Sequence, residues 1–178
     1  MKRAFDVAGA LGGLVFFAPV MAIVAAAILL DDGRPILFRQ IRVGAARRPF
    51  VILKFRSMRD DRVTRVGRLL RATGLDELPQ FINILRGDLS AVGPRPLTEA
   101  DVIRLQWSAT AYDFRWSVRP GLVGPAQLVG PESPRYALRL DRRYVLHRSI
   151  WLDARMVAMS FLFNALGKRR ARRLLFGR

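Results

Sequence analysis

From Val7 to Leu30 the chain carries no charged residue, and the run is fenced by Lys2, Arg3 and Asp6 before it and by Asp31, Asp32 and Arg34 after it. About 20 apolar residues are enough to cross the hydrocarbon core of a bilayer as a helix. A cleaved signal peptide has an apolar core of about 7 to 15 residues, so the run is too long for that reading. Pro19 sits in its middle, where it removes a backbone hydrogen bond and kinks a helix, and Gly9, Gly12 and Gly13 loosen the first half. Basic residues lie at the amino terminus and throughout the body, and the positive-inside bias favours keeping both sides in one compartment. A re-entrant helical hairpin satisfies the proline and the charges together. Prolines also occur in true spans, so the residues alone leave spanning and re-entry both open.

With 178 residues the chain has the size of one domain. Its 31 Lys plus Arg against 14 Asp plus Glu give a formal net charge of +17, while 51% of residues are hydrophobic. A basic and apolar chain points to an anionic lipid surface rather than nucleic acid, although charge alone admits DNA or RNA as a rival partner. The absence of cysteine excludes disulfides, thiolate metal sites and a Cys nucleophile. His147 is the single histidine and has no carboxylate or hydroxyl partner at useful spacing, so it is left outside the site. Any catalysis must use carboxylates, hydroxyls, Lys or Arg.

Along the body, Ile36 to Val43 and Phe50 to Phe55 have the β-branched and aromatic character of strands, and the turn region Gly44 to Pro49 predicts a hairpin. Helical spacing follows from Arg65 to Arg71 and from Asp76 to Leu85, with a break at Thr73 and Gly74. Ser90 to Pro96 and Pro120 to Pro134 are rich in Gly and Pro and predict irregular loops that could wrap a ligand. Leu138 to Leu146 and Ile150 to Leu166 read as helices, and Lys168 to Arg173 places five basic residues in six. An apolar face beside Arg-rich ends suits an interfacial helix; a core helix with a solvated tail fits the same pattern.

The stretch with most chemistry runs from Arg62 to Leu97, where adjacent acids Asp76 and Glu77 stand among arginines. Asp76 could be the N-cap of a helix, with Glu77 favourable to its dipole and Pro79 tolerated in the first turn. The functional reading starts from the same geometry: a carboxylate at a helix start among cations keeps its charge and can attack an electrophilic phosphorus, while an adjacent acid can hold a metal. Mg²⁺ needs only a few carboxylate oxygens when substrate phosphates supply the rest. Lys54, Arg56, Arg71 and Arg95 offer positive charge for phosphates, and Arg95 sits in a GPRP turn that would hold it rigidly. Any one surface arginine can also be simply solvated.

The motifs KRAFD at Lys2 to Asp6, the central Pro19, ILFRQIRVG at Ile36 to Gly44, KFRSM at Lys54 to Met58, LDELPQ, GDLSAVGPRP, RPGLVGPAQ at Arg119 to Gln127, DRRYV at Asp141 to Val145 and LDARM at Leu152 to Met156 keep one order over nearly the whole chain. In these the sequence resembles the bacterial sugar transferase family, the small monotopic phosphoglycosyl transferases. The resemblance implies an α+β fold of mostly short helices with a small β-hairpin, a re-entrant membrane helix over residues 1–34, and a catalytic domain with interfacial amphipathic helices over 35–178. It implies a place on the cytoplasmic face of the bacterial inner membrane, and transfer of a sugar-1-phosphate from a UDP-sugar to polyprenyl (undecaprenyl) phosphate with release of UMP. Asp76 would be the nucleophile that forms an aspartyl-phosphosugar intermediate, and Glu77 the Mg²⁺ ligand. Lys54, Arg56, Arg71 and Arg95 would hold phosphates, Pro94 and Arg119 the nucleotide, and Pro19 would kink the membrane helix. Ala18 stands where many members have Ser before that proline, and the segment between Met58 and Arg62 is shorter than in many members, which predicts a trimmed loop. The family's larger members add transmembrane helices before this core, and none is expected here. The competing class is a non-catalytic basic scaffold or nucleic-acid-binding module, whose binding would weaken steeply with salt.

Overall fold

A computed structural model describes residues 1–130 and 133–166. The basic run Lys168 to Arg173 lies outside the described residues. The uncharged stretch forms helix α1, Lys2–Asp32, which is 31 residues long and continues on both sides of Pro19. At 1.5 Å per residue it is about 46 Å long, more than the hydrocarbon thickness of a bilayer. Among the described residues it is the one helix long and apolar enough to cross a membrane, and only 11% of its most apolar window is buried by protein. Leu11, Val15, Phe16, Ile23 and Leu30 are exposed along it.

Strands β1 (Leu37–Val43) and β2 (Pro49–Phe55) form the expected antiparallel hairpin, with Gln40 opposite Ile52, around a 3₁₀ turn at Ala45–Arg47. The short segment that follows is itself a hairpin of β3 (Met58–Arg59) and β4 (Arg62–Val63), turned at Asp60 and Asp61, both with positive φ. Helix α2 (Arg65–Thr73) starts where the Thr64 side chain accepts a hydrogen bond from Gly67 N–H at 2.9 Å and ends at Gly74, whose φ of 74° suits glycine.

The single helix expected from Asp76 to Leu85 is instead two pieces, a 3₁₀ turn at Leu75–Glu77 and helix α3 at Gln80–Arg86. Pro79 is the cause: it has no N–H to give to the Leu75 carbonyl, which accepts from Leu78 N–H in the tighter 3₁₀ pattern. Asp76 is therefore inside a tight turn and caps no α-helix.

The loop expected from Ser90 to Pro96 contains strand β5 (Ser90–Val92), followed by α4 (Glu99–Arg104) behind a Thr98/Asp101 capping box and a 3₁₀ helix at Thr110–Arg115. The second expected loop contains β6 (Gly121–Val123), parallel to β5, and α5 (Pro125–Val129). Helices α6 (Pro134–His147) and α7 (Ile150–Leu166) complete the described chain and contain the two helices expected there.

Both ends of α1 are tied to this body. Near its start, the buried Asp6 Oδ1 accepts hydrogen bonds from Ser90 Oγ and Ala91 N–H, each at 2.9 Å. Lys2 Nζ pairs with the buried Asp153 of α7 and donates to Val92 O and Tyr144 Oη, each at 3.2 Å. Tyr144 Oη also lies 2.7 Å from Asp153 Oδ1, and burial, together with that carboxylate, raises the Tyr144 hydroxyl pKa. At the far end, Arg56 donates to the carbonyls of Asp32, Gly33 and Arg34 and pairs with Asp32 Oδ2 at 2.8 Å, while Asp31 accepts from Val66 N–H. Between these ties Ala10 packs with Ile84 and Leu89, and Val24 and Ile28 pack with Phe55 and Leu70.

Candidate active site

The 3₁₀ turn places Asp76 and Glu77 in a cavity of about 900 Å³. Lys54, Arg71 and Arg95, drawn from β2, the last turn of α2 and the segment after β5, line the same cavity. Lys54 Nζ donates to Glu77 Oε1 at 2.8 Å, and both are partly buried. Asn83, fully buried on α3, sets that register: its Oδ1 accepts from Leu53 N–H at 2.9 Å and its Nδ2 donates to Val51 O at 2.7 Å. One side chain thus fixes β2 against α3 beside Lys54.

Burial pushes the Asp76 carboxyl above the ordinary carboxylate value, and Glu77 adds to the shift. Lys54, a hydrogen bond from the backbone and Arg71 oppose it. The sequence expectation gave the cations the upper hand, but desolvation is the largest influence on this half-buried turn. A desolvated carboxylate is also a better nucleophile, because less water must be stripped from it before it attacks.

Arg95 is held from behind. Its carbonyl accepts from Arg115 Nη2 at 2.9 Å, and Arg115 Nε donates to Asp141 Oδ2 at 2.8 Å. Arg115 and Asp141 are both buried, and the guanidinium lies 5.1 Å and 5.4 Å from the ring centroids of Trp107 and Trp116. Asp141 Oδ1 has no hydrogen-bond partner among the described residues, and burial raises the Asp141 pKa against the pull of Arg115. Arg104, Arg115 and Asp141 all line the cavity, yet sequence reading missed them as site residues. Asp141 lay in plain view in the DRRYV motif; no local signal marked Arg115.

The parallel pair β5–β6 aims the GPRP turn. Ser90 N–H donates to Pro120 O at 2.9 Å, Gly93 N–H to Val123 O at 3.0 Å and Gly121 N–H to Pro94 O at 3.0 Å. The backbones approach so closely that a Cβ on Gly93 would stand 2.5 Å from Arg119 O, and one on Gly121 would fall on Gly93 N. Pro94 is buried in this crossing and Arg119 is exposed beyond it; neither lines the cavity. Arg56 does not line it either, since its guanidinium is committed to the end of α1. The Met58 to Arg62 hairpin likewise joins α1, through Arg59 to Asp32 at 2.9 Å. His147 is exposed, with Nδ1 3.0 Å from Arg143 O.

The two adjacent carboxylates of this tight turn thus share one cavity with Lys54, Arg71 and Arg95, beside Phe17 in the middle of the long apolar helix. The chain belongs to the bacterial sugar transferase family, whose model matches residues 1–165. It is 41% identical over 177 residues to the UDP-glucose:undecaprenyl-phosphate glucose-1-phosphate transferase of Caulobacter vibrioides, covering 88% of this chain and 66% of that protein. It is 38% identical to the UDP-N-acetylgalactosamine-undecaprenyl-phosphate N-acetylgalactosaminephosphotransferase of Aeromonas hydrophila, over 88% of this chain and 42% of that protein. The exopolysaccharide production protein PSS of Rhizobium leguminosarum bv. phaseoli is 36% identical over 88% of this chain and 91% of its own length. The chain thus spans less than two thirds of the first two relatives.

Proposed function

We propose that the protein transfers a sugar-1-phosphate from a UDP-sugar to a polyprenyl phosphate through a covalent intermediate on Asp76. The observation that carries this reading is the cavity itself, in which a desolvated carboxylate stands among Lys54, Arg71 and Arg95. An Asp76 oxygen attacks the sugar-bearing phosphorus, the bond from that phosphorus to the bridging oxygen breaks, and UMP leaves with the bridging oxygen. An oxygen of the polyprenyl phosphate then attacks the same phosphorus, breaking its bond to Asp76 and giving a polyprenyl diphosphate sugar. Arg71 and Arg95 hold the anionic oxygens in place, and Lys54 orients Glu77. Splitting the transfer in two lets a soluble donor and a membrane-bound acceptor use one site in turn, which makes the kinetics ping-pong.

Glu77 is the residue we assign to hold Mg²⁺. Mg²⁺ can take one or two protein carboxylates and complete its shell with substrate phosphates and water, so the role needs no cluster of three acidic or histidine side chains, and none occurs among the described residues. Such an ion, when bound, neutralises the charge that gathers on the leaving phosphate.

The ties at both ends of α1 favour re-entry over spanning. The helix packs on α3, α2 and β5 along its length, so a straight crossing would drag a strongly charged body into hydrocarbon. In this reading α1 enters the membrane without crossing it, remaining one helix through Pro19, and the body stays on the cytoplasmic face. The exposed Trp151, Phe161 and Leu162 of α7 suit the interfacial zone.

UMP release from a panel of UDP-sugars with Mg²⁺ and undecaprenyl phosphate tests the reading. Release by the wild type that disappears in Asp76→Asn is the expected result. Salt-sensitive binding to lipid or nucleic acid, unchanged by Asp76→Asn and without release from any donor, would favour the scaffold reading.

A further inference from the structure

The reaction above gives no role to the apolar side of the cavity. Leu75 of the 3₁₀ turn and Leu78 just after it belong to one apolar cluster with Phe17 of α1 and Phe81 of α3. All four apolar side chains line the same cavity as Asp76. The Phe17 and Phe81 rings stack with centroids 6.3 Å apart and 16° between their planes, and both are only partly buried. Gly13 permits this placement: a Cβ there would stand 2.8 Å from Phe81 Cζ. An aromatic wall on the apolar helix is therefore continuous with the carboxylate and its cations.

We propose that Phe17 and Phe81 form the subsite for the first isoprenyl units of the acceptor, so that its hydrocarbon leaves the cavity along α1. The inference rests on the polyprenyl-phosphate reading above. Charge complementarity selects this occupant. An amphiphile with an anionic phosphate and an apolar tail matches cations at one end of the cavity and phenyl rings at the other. A nucleotide or sugar laid on the Phe17 side would leave hydroxyls facing phenyl and leucine side chains without hydrogen-bond partners, whereas an isoprenyl chain has none to satisfy. The acceptor's phosphate must reach the phosphorus on Asp76, which places its first carbons beside the side chains that flank that turn. Gly13 becomes a specificity position, since a larger residue there displaces the Phe81 ring.

A polyprenyl phosphate carrying a photoreactive diazirine on its first isoprenyl unit, presented to the full chain in lipid nanodiscs, tests placement without requiring turnover. Crosslinks to peptides holding Phe17 or Phe81, reduced by excess unlabelled lipid, are expected; labelling confined to α6 or α7 would overturn the proposal. In steady-state assays Phe17→Ala should raise the acceptor KM about tenfold, the scale of a lost apolar contact in a binding pocket, with the donor KM within twofold of wild type, and Phe17→Leu should recover most of the loss. Equal rises in both KM values, or no rise, would overturn it. Absence of UMP release by the wild type would refute the transferase reading, while the crosslink would still decide where the lipid lies.

Discussion

Gly121→Ala should be among the most damaging single-methyl changes available in this fold. The added Cβ falls on the backbone nitrogen of Gly93 and lies 2.7 Å from its Cα, so β6 must move away from β5. Separation breaks the bonds from Ser90 N–H to Pro120 O, from Gly93 N–H to Val123 O and from Gly121 N–H to Pro94 O. At about 1 kcal/mol net for each bond the loss is about 3 kcal/mol. Overpacking adds about 1 to 3 kcal/mol, for a total of about 4 to 6 kcal/mol. For a chain of this size that lowers the unfolding midpoint by roughly 10 to 20 °C, measurable by circular dichroism of the detergent-purified protein. Gly12→Ala is the control, since none of the described residues lies within 4 Å of a Cβ there and the residue is helical. It should be neutral or stabilise by up to about 1 kcal/mol. A Gly121→Ala midpoint within about 4 °C of wild type, equivalent to roughly 1 kcal/mol, would refute the argument that close backbone approach at this crossing organises the GPRP turn.

Asp141→Ala strands the buried Arg115 charge and should destabilise by about 3 to 5 kcal/mol in the same melt. The double variant Arg115→Met with Asp141→Leu should regain most of that stability yet keep a raised donor KM, because the Arg95 carbonyl has lost its donor. The Asp101 carboxyl is held below the ordinary carboxylate range chiefly by its hydrogen bond from Arg104, with Thr98 assisting and desolvation opposing. A depressed folded value means stability that is present above the unfolded pKa and lost as pH falls through the folded one. The midpoint advantage of wild type over Asp101→Asn should therefore hold at neutral pH and shrink below about pH 4.

What the sequence made legible was local. The β1–β2 hairpin follows from its β-branched runs and turn residues, and α2 follows from the helical spacing of Arg65 to Arg71 and the break at Thr73 and Gly74. The adjacency of Asp76 and Glu77 and the basic positions Lys54, Arg71 and Arg95 could be read directly, and these residues do meet in one cavity. What could not be read arises between distant segments. The β5–β6 pair joins three-residue strands too short for a periodic signal, and Arg115 meets Asp141 across 26 positions. Asn83 shows no local sign that it will bridge α3 to β2. Arg56 looked like the other cations near the dyad; only the fold shows that the end of α1 claims it. The split of the expected helix was in principle readable, because Pro79 cannot donate, but helical spacing across it concealed the break.

The most direct test of the central claim is the mass of the protein after incubation with a UDP-sugar and Mg²⁺ in the absence of acceptor lipid. An increase equal to one sugar phosphate, located on the peptide containing Asp76, absent from Asp76→Asn and discharged on adding polyprenyl phosphate, is the predicted result. Turnover without any such adduct, or an adduct on another residue, would contradict Asp76 as the nucleophile.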